Sequence, residues 1–133
     1  ITGLPDYLQE GVKKIEKKTK DNDGITINLC INYGGREEIV HATKVIAEKV
    51  KNGELRLEDI SEDVIAQNIR LEGIPDPDLM IRAGGEKRLS GFLLWETSYS
   101  ELYFPDTLWP DFHEEELDKA IQEYNLRKRN FGK

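Results

Sequence analysis

The sequence has 133 residues, 38% hydrophobic and 34% charged, with a formal net charge of −7 and a pI near 4.9. That length suits one domain or part of one. The acidic balance argues against a nucleic-acid partner, which would call for a basic face, and against charge-driven recruitment to anionic membranes. No apolar stretch approaches the roughly 20 residues that span a bilayer.

Pro5 and Asp6 open a segment in which Leu8, Val12 and Ile15 recur at helical spacing, and the polar cluster Lys20-Asp21-Asn22-Asp23-Gly24 closes it. Strict alternation follows. Ile25, Ile27, Leu29 and Ile31 face one way and Thr26, Asn28, Cys30 and Asn32 the other, which predicts a strand. The single cysteine, Cys30, lies within that run, so it can build neither a disulfide framework nor a paired zinc site, and a buried structural thiol is expected.

After Gly34-Gly35 a helix is expected with Ile39, Thr43, Ile46 and Val50 on its inner stripe, broken by Asn52-Gly53. Ser61 suits the N-cap of a short helix carrying Val64, Ile65 and Ile69. Pro75-Asp76-Pro77 reads as a turn leading into a strand from Leu79 to Arg82. The unbroken apolar run Phe92-Leu93-Leu94-Trp95 suggests a strand buried on both faces. Asp111 is placed as the cap of a last helix, with Glu114 as its capping-box partner and Leu117, Ile121 and Tyr124 as its apolar stripe. The alternation of strands and helices implies an α/β fold, a largely parallel sheet with helices on both faces. Three strands are few for such a sheet, so residues 1–133 are expected to be the C-terminal portion of one α/β domain.

The chemistry concentrates between Asp78 and Phe92. A strand ending at Arg82 puts a guanidinium at the carboxyl edge, where α/β sheets bind ligands. Gly84 and Gly85 can adopt backbone angles that aim amides at an anion. Arg88 and Ser90 follow at alternate positions, so an extended segment would point both the same way. Two guanidiniums, a hydroxyl and free amides would cradle a diphosphate, since arginine pairs with phosphate oxygens through two parallel bonds. The same arginines could instead pair with Glu86 or Glu101, and the residues alone leave both readings open. The segment is neither a P-loop nor a dinucleotide fingerprint. His41 and His113 have no metal partner at useful spacing, and surface roles are expected for both. Trp95 and Trp109 are expected in packing or dimer contacts.

The stretch Arg82-Ala-Gly-Gly-Glu86-Lys-Arg88-Leu-Ser90-Gly-Phe-Leu-Leu-Trp95, followed by Tyr99-Ser-Glu101-Leu-Tyr-Phe104 and Leu108-Trp-Pro-Asp-Phe112, resembles the signature of the cis-prenyltransferases, the undecaprenyl and dehydrodolichyl diphosphate synthases. Asn32-Tyr33-Gly34-Gly35-Arg36 is similar to a second motif of that family. The resemblance implies a dimeric magnesium enzyme that condenses isopentenyl diphosphate with an allylic prenyl diphosphate and makes a cis double bond at each step. By position, Arg82, Arg88 and Ser90 would bind the diphosphate of isopentenyl diphosphate, and Glu101 would serve magnesium. A cytoplasmic enzyme, peripheral at the membrane through its lipid product, is implied as well. The family's Asp-Gly-Asn-x-Arg-Trp stretch, with its magnesium aspartate, does not occur here, so the chain by itself is expected to be inactive. Ala83 and Gly91 depart from the threonine and asparagine that many members carry. Asn130-Phe131-Gly132 stands where an Arg-Phe-Gly motif is common, which leaves Arg129 to take the arginine's place. The competing reading is a non-catalytic partner subunit of a heteromeric enzyme. Such subunits tend to lose the site motifs, which are present here.

Overall fold

A computed structural model describes residues 3–69 and 74–127. The chain divides into two compact units, Ile1–Tyr33 and Gly34–Lys133.

In the first unit, helix α1 spans Asp6–Thr19 and starts directly after Pro5. Asp6 in its first turn and Lys17 and Lys18 in its last complement the helix dipole. None of its residues is fully buried, and Leu8 and Ile15 of the expected stripe are exposed. The alternating segment from Ile25 to Ile31 does not form a strand. Alternation fixes which side chains share a face, but a strand also requires a ladder of backbone bonds to a neighbour. No described segment provides that ladder, and Ile25 is 95% exposed, with Ile27, Leu29 and Ile31 exposed too. Cys30 is half-buried rather than enclosed.

The second unit opens with α2, Gly35–Lys51. Asn52 caps its end and Gly53 follows with φ +75°, the left-handed geometry for which glycine is suited. The buried face is Gly35, Glu38, Ala42 and Ile46; of the expected stripe Ile46 is buried, Ile39 and Val50 are half-buried and Thr43 is exposed. Gly35 makes a close contact at the start of the helix. Its N–H donates to the Gly91 carbonyl at 2.8 Å, and a Cβ at residue 35 would lie 2.6 Å from that oxygen. The first turn of α2 is thereby pressed onto the loop that precedes Phe92.

Helix α3, Glu62–Ala66, is capped as expected: the Ser61 hydroxyl accepts from the Val64 N–H at 3.3 Å. Ile69 beyond it is buried. Residues 74–78 form an irregular lead-in with a bend at Asp78, and strand β1 follows at Leu79–Ile81. It pairs in parallel with β2, Glu101–Tyr103, in the register Leu79 to Glu101 and Ile81 to Tyr103. The sheet is parallel, as the α/β reading requires, and it has two strands among the described residues.

Two expectations need correction here. Phe92 to Trp95 is a series of tight turns, not a strand. Ser90, Gly91 and Leu93 have φ of +51°, +84° and +42°, values that no strand accommodates. The second strand comes instead from Glu101–Tyr103. Asp111 also belongs to a short 3-10 turn, Trp109–Asp111, and α4, Glu114–Leu126, starts after His113 with no side-chain cap. Three glutamates in the first turn of α4 favour its N-terminal dipole without a capping bond. Only Ala120 of this helix is fully buried, and the expected Leu117 and Ile121 remain partly exposed.

Candidate functional site

Arg82 emerges from the carboxyl end of β1, where its N–H still bonds the Tyr103 carbonyl at 2.9 Å. The chain then turns through Gly84 and Gly85, with φ of +99° and +75°. The left-handed geometry is the expected one, but its use differs. The Gly84 N–H donates to the Thr107 carbonyl at 2.8 Å and the Gly85 N–H to the Pro105 carbonyl at 2.9 Å. Both amides are spent within the protein, so they do not form an anion cradle. They fasten the loop to the segment leaving β2 instead. That segment is itself tied to α4, since the Thr107 hydroxyl donates to Glu116 at 3.0 Å. Lys119 and then Thr107 hold the Glu116 carboxyl below its ordinary range.

Arg82 and Ser90 do come together. The Arg82 Nη1 donates to the Ser90 hydroxyl at 2.7 Å, and it also contacts the Arg88 carbonyl. This closure relies on the left-handed turn at Ser90 and Gly91, not on an extended segment. Arg88 is on the same loop, but its guanidinium pairs with the Glu86 carboxylate, and both side chains are largely exposed. The alternative left open by the sequence is therefore realised for Arg88 and not for Arg82, whose bonds run to neutral oxygens.

Glu101 lies apart from this group. It begins β2 opposite Leu79, whereas Arg82 leaves the far end of β1. Three strand residues separate the two levels, about 10 Å at the usual rise. Glu101 accepts from the Arg127 Nη1 at 2.9 Å, and the same guanidinium bonds the Leu102 carbonyl at 3.0 Å and pairs with Glu123. Among the described residues no group of three or more histidine, cysteine, aspartate or glutamate side chains could hold a metal ion. Magnesium is usually held by one or two carboxylates together with substrate phosphates and water. Glu101 offers one such carboxylate, engaged by Arg127 and about 10 Å along the strands from Arg82.

A hollow of about 280 Å³ is lined by Glu62, Asp63, Ala66, Asp76, Trp95, Ser98 and Tyr99. Three carboxylates and no cation make it unsuitable for a phosphate. Trp95 is half-buried at its wall. Trp109 is 77% exposed and stacks on Phe112, the ring centroids 6.1 Å apart. His41 and His113 are exposed. Asn130 and Arg129 lie outside the described residues.

Sequence reasoning missed one further buried group. Glu96 is 7% exposed and neither of its oxygens has a hydrogen-bond partner. Its position beside an apolar run was a signal that could have found it, had Phe92 to Trp95 been read as a turn.

Comparison with known proteins agrees with the loop's sequence pattern. The family model described as undecaprenyl diphosphate synthase matches residues 1–132. The chain is 47% identical over 132 residues to the ditrans,polycis-undecaprenyl-diphosphate synthase ((2E,6E)-farnesyl-diphosphate specific) of Micrococcus luteus, a match that covers 99% of this chain and 53% of that protein. It is 47% identical over 131 residues to the isoprenyl transferase of Bacillus subtilis, covering 98% of this chain and 50% of the relative. In structure it matches the lavandulyl diphosphate synthase of Lavandula x intermedia, crystallised with dimethylallyl diphosphate, at a TM-score of 0.94 and 43% identity, covering 99% of this chain and 57% of that one. The chain thus spans about half the length of the curated relatives it matches. On the family match and these identities, it belongs to the undecaprenyl diphosphate synthase family of cis-prenyltransferases.

Proposed function

We propose that the protein carrying this chain is a cis-prenyltransferase that condenses isopentenyl diphosphate with an allylic prenyl diphosphate to give a long-chain polyprenyl diphosphate. In this reading, residues 1–133 are the portion of its α/β domain that binds isopentenyl diphosphate. The supporting observation is the Arg82–Ser90 closure at the carboxyl edge of a parallel sheet, 2.7 Å across, with Arg88 on the same loop. A diphosphate entering there would exchange the neutral acceptors of Arg82 for charged oxygens, which bind a guanidinium about twice as strongly. The Ser90 hydroxyl, already oriented by Arg82, would donate to a third oxygen. Together they would fix the diphosphate end of isopentenyl diphosphate and so aim its double bond.

Magnesium, which the family resemblance implies, would be served by Glu101 together with the substrate phosphates. The reading places the protein in the cytoplasm, with its lipid product bringing it to the membrane surface. No helix among the described residues is long and apolar enough to cross a membrane. It also makes the protein a homodimer, which the exposed Trp109–Phe112 stack and Leu108 would suit, since aromatic side chains are enriched at interface cores.

Steady-state kinetics of the intact protein, with both substrates varied, test the proposal. Arg82→Ala should raise the KM for isopentenyl diphosphate on the order of 10–100-fold, corresponding to a charge-assisted bond worth about 1.5–3 kcal/mol. The KM for the allylic substrate should change little. An unchanged KM and kcat for isopentenyl diphosphate would refute the assignment.

A further inference from the structure

The two arginines of the anion loop are in different electrostatic states, and the difference is built in locally. Arg82 bonds a hydroxyl and a carbonyl, and among the described residues no carboxylate pairs with it. Arg88 is matched by the carboxylate of Glu86, two residues earlier on the same loop. The backbone around them is fixed at both ends. Gly84 and Gly85 are bonded to the Thr107 and Pro105 carbonyls, and the Gly91 carbonyl accepts from Gly35. Between those anchors, Glu86 and Arg88 are solvent-facing side chains, free to change rotamer without moving the backbone.

We propose that Glu86 is an internal counter-anion that occupies Arg88 until a diphosphate displaces it, so that it sets the strength of anion binding at this loop. The inference rests on the diphosphate site proposed above. Carboxylate and phosphate both seek the paired N–H groups of a guanidinium, and they compete for the same donors. A diphosphate offers more oxygens and more charge than a carboxylate, and it can reach Arg82 at the same time. It therefore wins Arg88, and the freed Glu86 turns to water. A ligand with a single carboxylate would gain nothing over Glu86 and is held off. Glu86 thus acts as a positioning and specificity-determining residue through Arg88, without itself touching the substrate.

Calorimetric titration of the intact protein with inorganic pyrophosphate tests this, in wild type, Glu86→Gln, Arg88→Ala, Arg82→Ala and the double variant Glu86→Gln/Arg88→Ala. Exposed ion pairs are worth little, so Glu86→Gln should tighten pyrophosphate binding by about 2–5-fold. The gain should shrink as salt is raised. In the Arg88→Ala background the same change should have no such effect, because the residue it competes for is gone. Weaker or unchanged binding in Glu86→Gln, or a gain that persists without Arg88, would overturn the role given to Glu86. If Arg82→Ala and Arg88→Ala both leave binding unaltered, the diphosphate site itself fails. Loss of binding in those two variants with an inert Glu86→Gln would reject the counter-anion alone.

Discussion

Replacing Glu96 by glutamine should stabilise the protein at alkaline pH. The carboxyl is 7% exposed and neither oxygen has a hydrogen-bond partner. Burial pushes it above the ordinary carboxyl range. Its own backbone amide and that of Trp95 moderate the shift without reaching hydrogen-bonding geometry, and the charges of Glu38 and Asp76 add to it. Glu38 is itself only 1% exposed, so solvent does little to weaken that repulsion. With its pKa raised on folding, Glu96 keeps a proton to higher pH in the folded chain than in the unfolded one. Stability therefore falls as pH rises through that window, from the unfolded value near 4.5 upward, and the full cost is present above the folded pKa.

An unmade bond to a buried polar group costs about 1–3 kcal/mol, and more when the group is charged. Glutamine removes the charge while keeping the shape, so a gain of about 1–3 kcal/mol is expected at pH 8. Below pH 4.5 both side chains are neutral and the gap should close. Urea denaturation across pH 4–8 would show the variant's midpoint moving up at high pH with an unchanged slope. A wild type at least as stable at pH 8, or a difference that does not vary with pH, would refute the reasoning.

Gly35→Ala should destabilise the protein by about 1–3 kcal/mol, because the new Cβ would meet the Gly91 oxygen and Leu94 and force a backbone shift, as chemical denaturation would register. Arg127→Ala removes the bonds to Glu101 and to the Leu102 carbonyl. The Arg127 and Glu101 side chains are 32% and 26% exposed, so screening should hold the loss to about 1 kcal/mol in a thermal melt, and less at high salt. The 133-residue chain by itself should not incorporate radiolabelled isopentenyl diphosphate into lipid, since it spans only about half the length of the relatives it matches.

Local signals in the sequence located what local forces decide. Ser61 caps α3, Asn52-Gly53 ends α2, and β1 begins where the Pro75-Asp76-Pro77 segment predicts it. Arg82, Arg88 and Ser90 were legible as one cluster on a short loop, but the bond that forms, Arg82 to Ser90, uses a left-handed turn and not the extended segment expected. Non-local contacts decided the rest. Ile25 to Ile31 has the side-chain period of a strand, but no period can provide a hydrogen-bonding neighbour. The apolar run at Phe92 reads as strand, but Ser90, Gly91 and Leu93 take positive φ where the loop meets the start of α2. The Gly84 and Gly85 amides look available to a ligand until the carbonyls of Pro105 and Thr107 are folded onto them. Strand register likewise sets the level of Glu101, opposite Leu79 at the start of β1, which no local signal specifies.

The close approach of Gly35 to Gly91 has a consequence for how such a site can arise and vary. The loop carrying Ser90 and the start of α2, distant in sequence, meet at one hydrogen bond, so the bonded shape of the loop depends on how that helix docks. A mutation at either point would be inherited as a defect at the other. A bulkier residue at 35 would lift the helix and loosen the Gly91 turn, and Arg82 would lose its serine although neither residue had changed. A library that diversifies the Ser90 loop should therefore carry compensating changes at the head of that helix.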